Sequence, residues 1–274
     1  MKRLRFHYHM EIAFSEPVHD HIYTLKCLPG STDTQRITEC SYQISPVSNV
    51  TESMDSFGNR MLYGTADKEH ELFLVDVTGR AVLYRVGENV MDTEKTVLKS
   101  TDISVYRCQT SLTRPDERIR ELLARCRREA ESAGQCPLYD RLCIYMRIVH
   151  ESLRYGKGVT NINTTAAEAL ALGSGVCQDY AQIFISLCRE DKIPARYVVG
   201  MLMGEGESHA WAEVYDGGRW IGFDPTNNLV TEESHIKISH GRDYRDCSIN
   251  RGVFTGLAKQ EQSILVEVAE ESCF

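Results

Sequence analysis

The chain has 274 residues, 42% hydrophobic and 26% charged, with a formal net charge of −8. This describes a soluble globular protein with room for two domains and excludes a nucleic-acid backbone as its main partner. No apolar run of about eighteen residues reads as a membrane span, and the basic N-terminus lacks the apolar stretch of a secretory signal. Ten cysteines are scattered without C-x-x-C pairs, which points to reduced thiols and a cytoplasmic location.

Residues 1–112 read as a β-rich domain. In "RLRFHYHMEIAF", Leu4, Phe6, Tyr8 and Met10 alternate onto one face. "HIYTLKCLP" (21–29) and "ELFLVDV" (71–77) are further strand-length runs, punctuated by turn signals at Pro29-Gly30, Ser45-Pro46 and "DSFGNR". The pattern predicts an antiparallel sandwich or barrel. His7-x-His9 and His19-x-His21 place histidine pairs on single strand faces, but no third or fourth ligand declares itself, so no metal is assigned.

Residues 113–274 change character. Thr113 is a plausible N-cap, with Pro115 early in a helix whose apolar stripe is Ile119, Leu122, Leu123, Cys126 and Ala130. The basic cluster "RCRREA" reads as a solvated face of this helix. Leu138, Leu142, Met146, Val149 and Leu153 mark a second helix. Thr165 and Glu168 form a capping box opening a short third. A fourth begins at Cys177, with Ala181, Phe184 and Cys188 on its inner face. Strands then follow at 195–203, 209–215, 219–223 and, near the end, 263–270. The fold class is therefore α+β, with helices packed on an antiparallel sheet.

The chemistry-bearing residues converge through a hairpin. If Gly217-Gly218 is a two-residue turn, Asp216 faces Arg219, Tyr215 faces Trp220, and Trp211 faces Asp224. His209 shares the face of Trp211, so Asp224 is its diagonal neighbour, roughly 7–8 Å away at the backbone. A carboxylate beside an imidazole fixes its tautomer and orientation. The other ring nitrogen can then take a proton from a thiol. Cys177 opens a helix, where the macrodipole favours a thiolate, although Asp179 in the same turn opposes this if aimed at the sulfur. Cys188 reads as core. Trp211 and Trp220 read as packing at the floor of the site, with Trp211 also a candidate substrate contact. Tyr180, one turn from Cys177, is a candidate cleft residue. Glu213 is structural or a partner of the site. "GEGES" (204–208) lacks the following helix of a phosphate cradle and reads as a loop placing His209.

"GSGVCQDYA", "SHAWAEVY" and "WIGFDPTNN" together resemble the transglutaminase-like superfamily of Cys-His-Asp enzymes. "GRDYRDCSINRGVFTG" (241–256) is similar to the tail of its bacterial cysteine-protease group, with Cys247 and Ile249 departing from the usual pattern. "DSFGNRMLYGTADKEHELFLV" is similar to that group's β-rich N-terminal domain. The resemblance implies a papain-like, transglutaminase-like fold in which Cys177 is nucleophile, His209 general base then acid, and Asp224 the orienting carboxylate. It implies a peptidase or amidase acting on a peptide or protein amide through a thioester. A protein transglutaminase using an amine acceptor and a catalytically silent binding scaffold are the alternatives. No cofactor, nucleic acid or membrane partner is implied. The calcium-binding loops of animal transglutaminases have no counterpart in the sequence, which does not speak to oligomeric state.

Overall fold

The structure is a computed structural model that describes residues 1–85, 103–134 and 136–271. Its first five strands are β1 (Lys2–Leu25), β2 (Gln35–Ser45), β3 (Asn49–Met54), β4 (Arg60–Ala66) and β5 (His70–Leu83). Helices α1 (Glu117–Ser132) and α2 (Leu138–Ser152) follow. Next come β6 (Arg154–Tyr155), α3 (Ala166–Leu172), β7 (Ser174–Gly175) and α4 (Cys177–Glu190). Six strands come next: β8 (Ala195–Leu202), β9 (Gly204–Gly206), β10 (His209–Asp216), β11 (Arg219–Asp224), β12 (Leu229–Thr231) and β13 (His235–Gly241). A single turn, α5 (Tyr244–Cys247), leads to β14 (Asn250–Thr255) and β15 (Gln260–Glu270).

The long strand β1 organises the first sheet. Its N-terminal half pairs with β5 on one side and β15 on the other. Its C-terminal half pairs with β4 and β14. The partners change where the β5 register shifts between Ala13 and Val18, so one antiparallel sheet curls on itself. Leu4, Phe6, Tyr8, Met10, Ile12 and Phe14 all turn inward and are buried, as period-two alternation requires.

The second sheet has the order β12-β11-β10-β8-β13. Two expectations are corrected. The last strand, assigned by sequence to the second half, belongs to the first sheet, because β15 pairs with β1 from Leu4↔Glu270 to Phe14↔Gln260. And α1 is capped by Asp116, whose Oδ1 accepts from Ile119 N at 3.0 Å, not by Thr113. The Thr113 hydroxyl accepts instead from the buried guanidinium of Arg189, 3.1 Å away. A tertiary contact has overridden a local capping rule. The Thr165–Glu168 capping box forms as expected.

Helix α4 has no solvent face. Every residue from Gln178 to Arg189 is buried, so the inner stripe read from the sequence understates its place at the centre of the fold. Arg189, near its C-terminal end, donates to the carbonyls of Tyr106, Ala195 and Arg242. The outer edge of β13 meets the first sheet through side chains that mimic a strand. Gln35 bonds to the N–H and the carbonyl of Lys237, and Asn59 does the same for His240. Edge groups that would otherwise be buried without partners are thereby satisfied.

Candidate active site

Cys177 is the first residue of α4, with Val176 as the extended N-cap. Asp179 folds its carboxylate back over this turn. Its Oδ2 accepts from Val176 N at 2.8 Å and from the Thr160 hydroxyl at 2.6 Å. Gly175 makes room for that: a Cβ there would lie 2.5 Å from Asp179 Oδ2. Burial raises the Asp179 pKa, and these two hydrogen bonds resist the rise. The acid in the first turn is thus a local cap, engaged with the backbone. Parallel pairing of β6 with β7 sets Tyr155 beside Gly175.

The hairpin of β10 and β11 has the register expected from its turn. Asp216 pairs with Arg219 and Tyr215 with Trp220, continuing to Ala212↔Phe223. Gly217 and Gly218 both take positive φ, 56° and 93°, as a two-residue reversal demands. His209 Nε2 lies 2.7 Å from Asp224 Oδ2. Cys177 and His209 line the same cleft, and the thiol interacts electrostatically with the imidazole. The structure therefore brings all three sequence-predicted residues to one site. The His209 side chain is 11% exposed and Asp224 fully buried, whereas Cys177 is partly exposed.

Asp224 has more partners than the sequence suggested. Besides His209, Oδ2 accepts from Asn227 Nδ2 at 2.7 Å and from His235 Nε2 at 3.2 Å. Oδ1 accepts from the N–H groups of Thr226 and Asn227 at 3.0 and 3.2 Å. Burial works against the charge, but these donors and His209 outweigh it and hold the carboxyl far below its usual range. Burial likewise opposes protonation of His209. Its interactions with Asp224 and Cys177 prevail and raise its pKa to about 10.

His235 is the residue the sequence reading missed. It is buried, and burial lowers its pKa against the pull of Asp224. Its Nε2 donates to Asp224 at 3.2 Å, and its Nδ1 lies 2.9 Å from the Ser234 hydroxyl. Nothing local in "ESHIKIS" signals this, because β13 reaches the site by crossing to the far side of β8. Asn227 was more legible, three residues after Asp224 in an Asx-type turn.

Two candidate substrate contacts are corrected. Trp211 is buried, with its ring stacked 6.3 Å from His209 and edge-on to His235 at 5.1 Å. It supports the imidazoles from beneath and presents no surface to a ligand. Tyr180 is buried too, its hydroxyl donating to Leu153 O at 3.0 Å. Trp220 packs elsewhere, under the Arg196 guanidinium at 3.9 Å. Glu213 is structural, accepting from Arg196 Nε at 2.6 Å and from Lys237 Nζ at 3.0 Å in a buried charge cluster.

The sulfur faces a cleft of about 350 Å³. Tyr155, Lys157, Met203, Glu205, Glu207 and Ser208 line it together with Cys177 and His209. Lys157 and Glu207 bridge at 2.8 Å. Other thiols are in different surroundings. Burial pushes Cys27 and Cys126 up to about 12, and raises Cys188 and Cys247 as well. Among the described residues no helix is long and apolar enough to cross a membrane.

Residues 120–225 match the family model of the transglutaminase-like superfamily, and residues 4–82 that of the bacterial transglutaminase-like N-terminal region. An uncharacterised protein of Mycobacterium leprae is 35% identical over 44% of this chain and 47% of its own length. A counterpart in Mycobacterium tuberculosis is 34% identical over 43% of this chain and 42% of its own. The chain thus spans less than half the length of these relatives. A crystal structure from Cytophaga hutchinsonii, titled a "Putative Cysteine Protease", superposes over 100% of this chain and 92% of its own, with a TM-score of 0.77 at 23% identity. That likeness shows the shared α+β fold.

Proposed function

Because the chain carries a transglutaminase-like core behind a bacterial transglutaminase-like N-terminal region, we propose that it is a cysteine-dependent acyl-transfer enzyme acting on amide bonds, a peptidase or amidase. The observation that carries the reading is His209, held at 2.7 Å by a buried carboxylate and lining one cleft with a thiol at a helix start. In the proposed reaction Cys177 and His209 share one proton; with it held on the imidazole, the Cys177 sulfur attacks the amide carbonyl carbon as a thiolate. The Cys177 N–H, at the head of α4, stabilises the developing oxyanion. His209 protonates the leaving amine as the C–N bond breaks, giving a thioester. Water, deprotonated by His209, then releases the acid and restores the thiol. Asp224 holds the ring throughout and is not itself protonated.

The substrate we propose is a peptide or protein amide, and the free thiols fit a reducing, cytoplasmic setting. The test is a screen of peptide and amide libraries with and without primary amines, wild type against Cys177→Ala. Hydrolysis by wild type alone supports the reading. Amide exchange without hydrolysis would make the protein a transglutaminase. A wild type that turns over nothing, with Cys177 no more reactive than its sister thiols, would leave a binding scaffold.

A further inference from the structure

We propose that His7, His9 and Asp76 form a binding site for one divalent transition-metal ion of borderline softness, on the outer face of the first sheet. The proposal does not depend on the chemistry of Cys177. His7 and His9 alternate outward from β1, and antiparallel pairing with β5 sets Asp76 directly opposite His9. Asp76 Oδ1 lies 2.9 Å from His7 Nε2 and 2.9 Å from His9 Nδ1. The three donor atoms all fall within 4.8 Å of one another. An ion about 2.0–2.2 Å from each would need them roughly 3.3 Å apart, a few tenths of an ångström more than the separation of either nitrogen from Oδ1.

The other nitrogen of His7 strengthens the assignment. From the far side, β15 sets Glu267 opposite His7, with Oε2 3.4 Å from Nδ1. In the tautomer that donates from Nε2 to Asp76, Nδ1 turns a lone pair toward the Glu267 carboxylate, a conflict relieved either by a second ring proton or by an ion at Nε2. Binding an ion removes this conflict. The Nε2 lone pair goes to the metal, the proton moves to Nδ1, and Nδ1–H donates to Glu267. A carboxylate on the outer nitrogen is the usual companion of a metal-ligating histidine. Two imidazoles and one carboxylate suit zinc, cobalt, nickel or copper over calcium or magnesium, which take oxygen ligands. The side chains are 29–38% exposed, which leaves room for water in the remaining positions. Among the described residues His19 and His21 form no such group: His19 bonds Asp20, and His21 lies buried against His70 and Phe73.

The test is titration of the full chain with cobalt(II) alone, followed by calorimetry and by visible absorption, which reports thiolate ligation as a charge-transfer band. We expect one ion per chain, no thiolate band, and at least tenfold weaker binding in His7→Ala and in Asp76→Asn. His19→Ala should bind as wild type does. The mutated side chains point outward, and unchanged circular dichroism verifies the fold. The proposal is overturned by no saturable binding, by a thiolate band, or by undiminished binding in the His7→Ala/His9→Ala double variant. Loss of the ion in His235→Ala instead would place it at Asp224 and also overturn the proposal.

Discussion

Replacing Asp224 by asparagine changes one atom and sets a hydrogen-bonding problem that the site cannot solve. The carboxylate accepts five hydrogen bonds, three at Oδ2 and two at Oδ1. An asparagine offers one oxygen and one NH2 group. With its oxygen toward His209, the NH2 meets the Thr226 and Asn227 backbone N–H groups. Stranding two buried donors costs about 2–6 kcal/mol at roughly 1–3 kcal/mol each. With its oxygen toward the backbone, the NH2 faces His209, His235 and Asn227. His209 escapes by accepting at Nε2 and carrying its proton on the other nitrogen, toward the sulfur. That tautomer cannot take the thiol proton, and in the serine enzymes with the same logic the loss is about 10⁴-fold. We therefore expect Asp224→Asn to lose stability in urea by at least about 2 kcal/mol, or to lose catalysis by up to about 10⁴-fold. Before a substrate is known, the assay is the rate of Cys177 alkylation by iodoacetamide at pH 7, read by peptide mass spectrometry. It should fall at least about tenfold, equivalent to ~1.4 kcal/mol. Wild-type stability together with an alkylation rate within about twofold of wild type would refute the orienting role of the carboxylate.

Three further outcomes follow from the same geometry. His235→Leu removes one of the donors to Asp224 but leaves four in place, so kcat should fall about tenfold with KM unchanged. His235→Gln restores an N–H donor and should recover most of that, and no recovery would mean that His235 serves only as packing. Glu213→Gln leaves Arg196 and Lys237 buried without their shared counter-charge. It should cost about 3 kcal/mol or more and lower Tm by roughly 6–12 °C, and an unchanged melting curve would contradict the ion cluster. The His209 pKa is raised in the folded protein to about 10, above an unfolded value near ~6.5. Its contribution to stability is complete below the unfolded value and is lost as pH rises through the folded one. Urea unfolding of wild type and His209→Gln from about pH 6.5 to 10 should show wild type losing up to ~1.4 kcal/mol of relative advantage per unit, and a constant difference would exclude the shift.

The parts of the site legible in the sequence are those set by short-range geometry. Two successive glycines dictate the β10–β11 turn, the turn dictates the register, and period-two alternation then puts His209 and Asp224 on one face. Residues whose roles depend on distant chain segments were not legible. His235 reaches Asp224 only because β13 lies beyond β8. Asp76 meets His7 and His9 only through a long-range register in the first sheet. Periodicity assigned Trp211 and Tyr180 to plausible faces but says nothing of depth, and both turned out to be sealed beneath neighbouring elements. Thr113 shows the limit of local rules. Its capping signal was sound by itself, yet the hydroxyl satisfies a buried arginine from another helix.

The first sheet cannot be treated as an appendage to the site, because one of its own strands forms part of the cleft. Glu205 and Gly206 form part of its wall, and both lie on β9, which is the edge strand of the first sheet and pairs with β15. Three residues after Gly206 the chain reaches His209 and enters the second sheet. The segment leading into the histidine is thus pinned by hydrogen bonds to one sheet while the histidine is fixed in the other. Gln35 and Asn59 tie the same two bodies together along β13, the strand that carries His235. Any movement between the sheets must therefore shift the cleft wall relative to the sulfur, so a substrate that spreads them changes the very geometry that would act on it.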